Sequence, residues 1–190
     1  MAFIYGRIGG NPGDEKATGT TQLHPLGTSM ELPGGRVYYY GLANGAITAG
    51  KICQNAVGIA NHDMDLAVNT ASAGDKSLSV TVGGTAVTED QYKDGLVYVN
   101  DGTGEGHAYM IRQHDAIDSS GSGTINLYDS DPIKVAFAAA TIVGLFKNQY
   151  HDFIVYPTTA TGHAVGVTAT DIADDAYGLS LIHISEPTRQ

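Results

Sequence analysis

From Arg36 to Thr168 the chain alternates short runs of β-favouring residues with turn-forming ones, so no stretch is left for a long helix. Arg36-Val-Tyr-Tyr-Tyr40 is followed by the turn Ala43-Asn-Gly45, and Lys51-Ile-Cys-Gln54 comes after Ala49-Gly50. Asp65-Leu-Ala-Val-Asn69 precedes Ala73-Gly-Asp75. Ser77-Leu-Ser-Val-Thr-Val82 alternates cleanly, with Leu78, Val80 and Val82 on one face and Ser77, Ser79 and Thr81 on the other. Leu96–Val99 and His107–Gln113 flank Asn100-Asp-Gly-Thr-Gly-Glu-Gly106, which predicts a hairpin with a connection longer than two residues. Further strands are expected at Thr124–Tyr128, Ile133–Phe137, Thr141–Phe146, Phe153–Tyr156 and Ala164–Thr168. Thr88-Glu-Asp-Gln-Tyr92 reads as one helical turn with Thr88 as its cap.

Composition agrees with this reading. The 190 residues include 25 Gly, and only 16% are charged, below the quarter usual in globular domains. Mainly β architecture follows, a β-barrel or sandwich over 36–178 with no internal repeat and no linker that would divide it. Residues 1–35 differ. Gly9-Gly-Asn-Pro-Gly13, Thr18-Gly-Thr-Thr21 and Pro33-Gly-Gly35 forbid a regular helix, yet Phe3, Ile4, Tyr5, Ile8, Leu23, Leu26, Met30 and Leu32 are more than a linker needs. An extended amino-terminal arm that orders by lying on another surface is expected there.

Charge and cysteine narrow the function classes. A net charge of −10 lacks the cations that neutralise phosphates, so direct nucleic-acid binding is not expected. The single Cys53 can neither close an internal disulfide nor build a thiolate metal cage, and it reads as a small core residue. Met1–Arg7 has no signal-peptide core, and the apolar stretch Ile133–Phe146 is too short for a bilayer and holds Lys134. The expectation is a soluble chain made in a cytosol, without membrane association. The carboxyl end, Leu179-Ser-Leu-Ile-His-Ile-Ser-Glu-Pro-Thr-Arg189, is similar to the translation of a transposon-type sequencing-library adapter. Residues 179–190 are therefore expected to be non-native, and the natural protein to continue beyond Gly178.

No catalytic, cofactor-binding or metal-binding residue is assigned, and no cofactor is expected. Asp101-Gly-Thr-Gly-Glu-Gly106 resembles a phosphate loop or, through Asp101 and Glu105, a Ca²⁺ loop. It lacks the dinucleotide spacing and a following helix, and it lacks the alternating Asp/Asn ligands. A hairpin loop whose glycines supply positive φ accounts for it. His62-Asp-Met-Asp65 offers an imidazole and two carboxylates, but His107, His114, His151 and His163 show no ligand spacing with it. A polar loop before Leu66 is the expected setting. Ser119, Ser120 and Ser122 form no nucleophile elbow. With eleven tyrosines and no tryptophan, burial on strand faces or at subunit interfaces is the expected fate of the aromatics.

A resemblance adds to this. Gly41–Lys51, His62–Val68, Ser77–Thr88, Gln91–Gly95, Val99–Tyr109, Ile125–Tyr128 and Asp175–Gly178 follow one another as in a group of tailed-phage virion proteins from marine and environmental genomes. Gly41–Lys51 also resembles the start of phage capsid-decoration β-barrels. The resemblance implies a non-enzymatic structural protein of the virion, assembled in the host cytoplasm. The role it suggests is a capsid decoration or cement subunit that contacts the major capsid protein or other virion subunits and forms homo-oligomers. The alternative is a carbohydrate- or receptor-binding module of a tail fibre, using the loops Asn100–Gly106 and Asp118–Gly123 with Tyr98, Tyr109 or Tyr128.

Overall fold

The structure is a computed structural model, and it describes residues 7–182. The mainly β class is observed: thirteen strands and one 3₁₀ turn, Asp14–Lys16, make up the regular structure of the described residues. The chain divides into two compact units, the first formed by Met1–Val57 with Gln149–Gln190 and the second by Gly58–Asn148. The second is thus an insertion in the first. The sequence shows no seam because both crossings fall in loops, 55–65 and 147–153, without a change of composition.

The first unit is a seven-stranded sheet of β1 (Ile8–Gly9), β2 (Ser29–Leu32), β3 (Arg36–Leu42), β4 (Ile52–Gln54), β11 (Ile154–Val155), β12 (Ala164–Thr168) and β13 (Tyr177–Leu181). Their spatial order is β1-β2-β3-β13-β12-β4-β11. All pairs are antiparallel except β1 with β2. Period-two alternation of β3 sends Tyr38 and Tyr40 into a core with Leu26, Leu32, Ile47, Phe153 and Ile172.

The described part of the expected arm lies on this chain's own sheet. Met30 pairs with Tyr38, Ile8 pairs with Met30, and Leu26 and Leu32 are buried. Of the apolar punctuation noted in the sequence, Leu26 and Leu32 are buried and Ile8 and Met30 half-buried, whereas Leu23 is exposed; residues 1–6 lie outside the described part. At the other end, Leu179–Leu181 belong to β13 and pair with Tyr38–Tyr40. Leu-Ser-Leu is β-compatible whatever its origin, so it fills an antiparallel slot between β3 and β12. Residues 183–190 of the adapter-like tail lie outside the described residues.

The second unit contains β5 (Leu66–Val68), β6 (Ser77–Thr81), β7 (Leu96–Asp101), β8 (Ala108–His114), β9 (Ser122–Leu127) and β10 (Ile142–Phe146). Hydrogen bonds close them into a ring, β10-β5-β6-β9-β8-β7, with β10 bonded to both β5 and β7. All six pairings are antiparallel. Inward residues Val80, Val97, Val99, Ile111, Ile125 and Val143 are fully buried. Each such side chain stabilises the fold by roughly 1.5–3 kcal/mol relative to exposure.

Two local expectations are corrected. Ile133–Phe137 is not a strand: Ile133 and Phe137 are buried, but their amides donate to Asp75 and Ala71 carbonyls in loops. Apolar anchors on either side of a bend look like a strand when only composition is read. Thr88–Tyr92 forms no helical turn. The Gln91 amide donates to the Thr88 carbonyl and the Lys93 amide to the Asp90 carbonyl, as in successive turns, and Asp90 sits at φ 55°, a left-handed value that interrupts helix.

Candidate interaction surface

On a half-solvated strand the outward positions are ordinarily polar. β7 departs from this: Val97 and Val99 point inward and are fully buried, but Leu96 and Tyr98 on the other face are also apolar. Leu96 pairs with Phe146 on β10, and Tyr98 with Gly144. The Tyr98 and Phe146 rings meet edge to face, 6.2 Å between centroids. Leu96, Tyr98 and Phe146 are 39%, 38% and 43% exposed, and Met64, next in the chain to the Asp63 carbonyl that covers Gly144, is 59% exposed. Leu96, Tyr98 and Phe146 form an outward apolar cluster on the second unit. The signal for it was present in Leu96-Val-Tyr-Val99, apolar on both faces, which the sequence reading used only as a strand. On the first unit Ile52 of β4 and Tyr156, which follows the edge strand β11, are also exposed.

The first unit also holds an apolar cavity of about 270 Å³. Leu23, Met30, Tyr40, Tyr177 and Leu179 line it, together with His24. Tyr40 stacks on Tyr177, 5.5 Å between centroids, and its hydroxyl accepts the Leu23 amide at 3.0 Å. Burial raises the Tyr40 hydroxyl above its ordinary pKa.

The polar residues singled out in the sequence are placed as follows. His62 lies in the loop before β5, as expected, but its side chain is buried in the core, 0% exposed. Its Nε2–H donates to the Thr85 carbonyl at 2.8 Å, because a carbonyl can only accept. Nδ1 shares a hydrogen bond of 2.6 Å with the Tyr92 hydroxyl. The Tyr92 amide in turn donates to His114 Nε2 at 3.0 Å, and His114 Nδ1–H donates to the Asp115 carbonyl at 2.9 Å. All four ring nitrogens of the two imidazoles are thus committed to hydrogen bonds, which makes them structural. Burial, with the Asp63 carboxylate adding to it, raises the Tyr92 hydroxyl well above its ordinary value. Asp65 is turned elsewhere, accepting Asn100 Nδ2 at 3.0 Å.

Ser119 Oγ donates to the Gly84 carbonyl, and Ser122 Oγ bonds Thr81 Oγ1. Tyr109 and Tyr128 are buried, so of the three tyrosines considered for glycan stacking only Tyr98 reaches the surface. Among the described residues no three His, Cys, Asp or Glu side chains converge as a metal site, and no helix is long and apolar enough to cross a membrane.

Cys53 is buried on β4, as its alternating setting predicts. Burial pushes its thiol up from 9.0 to about 11. The folded protein is therefore expected to resist iodoacetamide at pH 8 and to react fully once unfolded; rapid native alkylation, read by intact mass, contradicts this placement. The unfolded thiol ionises first as pH rises, near 9.0, and the folded one only near 11, so this group weakens the fold across that window. No family model matches the chain, and comparison with curated proteins and with solved structures likewise finds no match.

Proposed function

We propose that this chain is a non-enzymatic structural subunit of a tailed-phage virion, a capsid decoration or cement subunit that stabilises the head through subunit contacts. The observation that carries the reading is the outward cluster Leu96, Tyr98 and Phe146 on a β scaffold. Aromatic side chains of this kind are enriched where protein surfaces become buried on association. The resemblance of its turn and strand segments to those of phage virion proteins points to the kind of partner: the major capsid protein, other virion subunits, or further copies of this chain. In this reading the closed six-strand ring serves as the barrel scaffold, and neither disulfide nor metal is required for assembly in the host cytoplasm.

The test is co-sedimentation of the full chain with expanded capsid shells made from a major capsid protein encoded in the same genome. Binding is expected, and Leu96→Glu with Phe146→Glu is expected to weaken it at least about tenfold, equivalent to about 1.4 kcal/mol, while the far-ultraviolet circular dichroism stays unchanged. Failure to bind shells, with immunogold labelling confined to tails, overturns the decoration reading. Neighbouring portal, protease and major capsid genes agree with it, and tail-fibre neighbours count against it.

A further inference from the structure

Three steps in the chain place a glycine after Asn or Asp: Asn44-Gly45, Asp94-Gly95 and Asp101-Gly102. Each offers the same chemistry. The glycine amide nitrogen can attack the preceding side-chain carbonyl carbon and close a five-membered succinimide. Folding decides which of the three is free to react, because attack requires the nitrogen to face that side chain.

Two steps are turned away from the reaction. The Gly45 amide donates to Asp174 Oδ1 at 2.6 Å. The Gly95 amide donates to the Tyr92 carbonyl at 2.9 Å, while the buried Asp94 carboxylate accepts the Tyr128 hydroxyl. The third is different. The Gly102 amide lies against the side chain of its own neighbour, 2.7 Å from Asp101 Oδ1, and both residues are exposed. The loop also holds this arrangement in place. Gly102 has φ 87°, and a Cβ there would lie 2.8 Å from the Ala140 carbonyl oxygen, so the step retains the one residue type that does not hinder attack.

We propose that Asp101 is a site of spontaneous isoaspartate formation in the folded protein, and that Asn44 and Asp94 are protected by the fold. Gly102 N bonds to Asp101 Cγ; the amide proton and the carboxyl hydroxyl leave together as water. Water then adds to either succinimide carbonyl and opens the ring to aspartate or isoaspartate. No oxidant or cofactor takes part, and the product has the mass of the starting chain. Isoaspartate adds one methylene to the main chain where β7 leaves the ring, and moves a carboxylate within the Asn100–Gly106 connection.

The experiment ages the full chain at 37 °C, folded and in guanidinium, and maps each step by electron-transfer fragmentation of its peptides, with the mass gain of deamidation marking Asn44. All three steps are expected to convert in guanidinium. In the folded chain Asp101 is expected to keep a rate within about threefold of its unfolded rate, while Asn44 and Asp94 slow at least about tenfold. Asp101→Glu is expected to abolish the signal at that step and leave the other two unaltered. If Asp101 is slowed by folding as much as the other two, or if Asn44 or Asp94 is not slowed, the proposal is overturned.

Discussion

Gly144→Ala is expected to destabilise the second unit by about 3 kcal/mol, at the upper end of what overpacking costs. A Cβ at Gly144 would lie 2.1 Å from the Asp63 carbonyl oxygen and 2.8 Å from its carbon. Both are main-chain atoms, so no rotamer change relieves the clash. The only relief is to move the 62–63 backbone, and that backbone is tied to β10 by the Leu145 amide, which donates to the His62 carbonyl at 2.7 Å. Displacing it also strains the buried imidazole of His62. Gly84→Ala in the same unit is the control, since nothing lies within 4 Å of a Cβ there. Urea unfolding followed by amide exchange at Val143 and Leu145 reads the effect. Equal stability of the two variants contradicts the close crossing of Asp63 over β10.

His62→Ala is expected to cost about 4 kcal/mol, combining a cavity in a closed core with the loss of two hydrogen bonds. The Tyr92 hydroxyl and the Thr85 carbonyl both lose their partner. Tyr92→Phe, which removes only the hydroxyl, is expected to cost about 1–2 kcal/mol by leaving Nδ1 unpaired. The double variant is expected to fall short of the sum by at least about 0.5 kcal/mol, because either change alone breaks the same bond. Strict additivity, or a loss below about 1 kcal/mol for His62→Ala, contradicts the shared hydrogen bond and the structural role drawn from it.

The readings that held are those made by local chemistry. In Ser77–Thr81 each inward residue is apolar and each outward one polar, so a single strand states its own face. The hairpin of β7 and β8 is equally legible, because a glycine-rich connection between two β-favouring runs leaves few other options. Where the reading departed from the structure, long-range contacts decided. Ile133 and Phe137 are held as core plugs by Asp75 and Ala71, which no window around residue 135 contains. His62 stands among acidic neighbours in the chain and looks polar, yet its partners are 23 and 30 residues away. Leu96 and Phe146 become one exposed cluster only because β10 pairs with β7.

The alternation of small turn residues with β-branched and aromatic ones settles, without any coordinates, that this chain forms sheets, since steric preference and side-chain period act within a few residues. How the strands are ordered, where one unit interrupts the other, and which histidines and apolar residues are buried or displayed is set by hydrogen bonds between distant segments. Those bonds satisfy main-chain groups irrespective of side chain, so the partner of each strand is selected by the packing of the folded unit and leaves little trace in any short stretch of sequence.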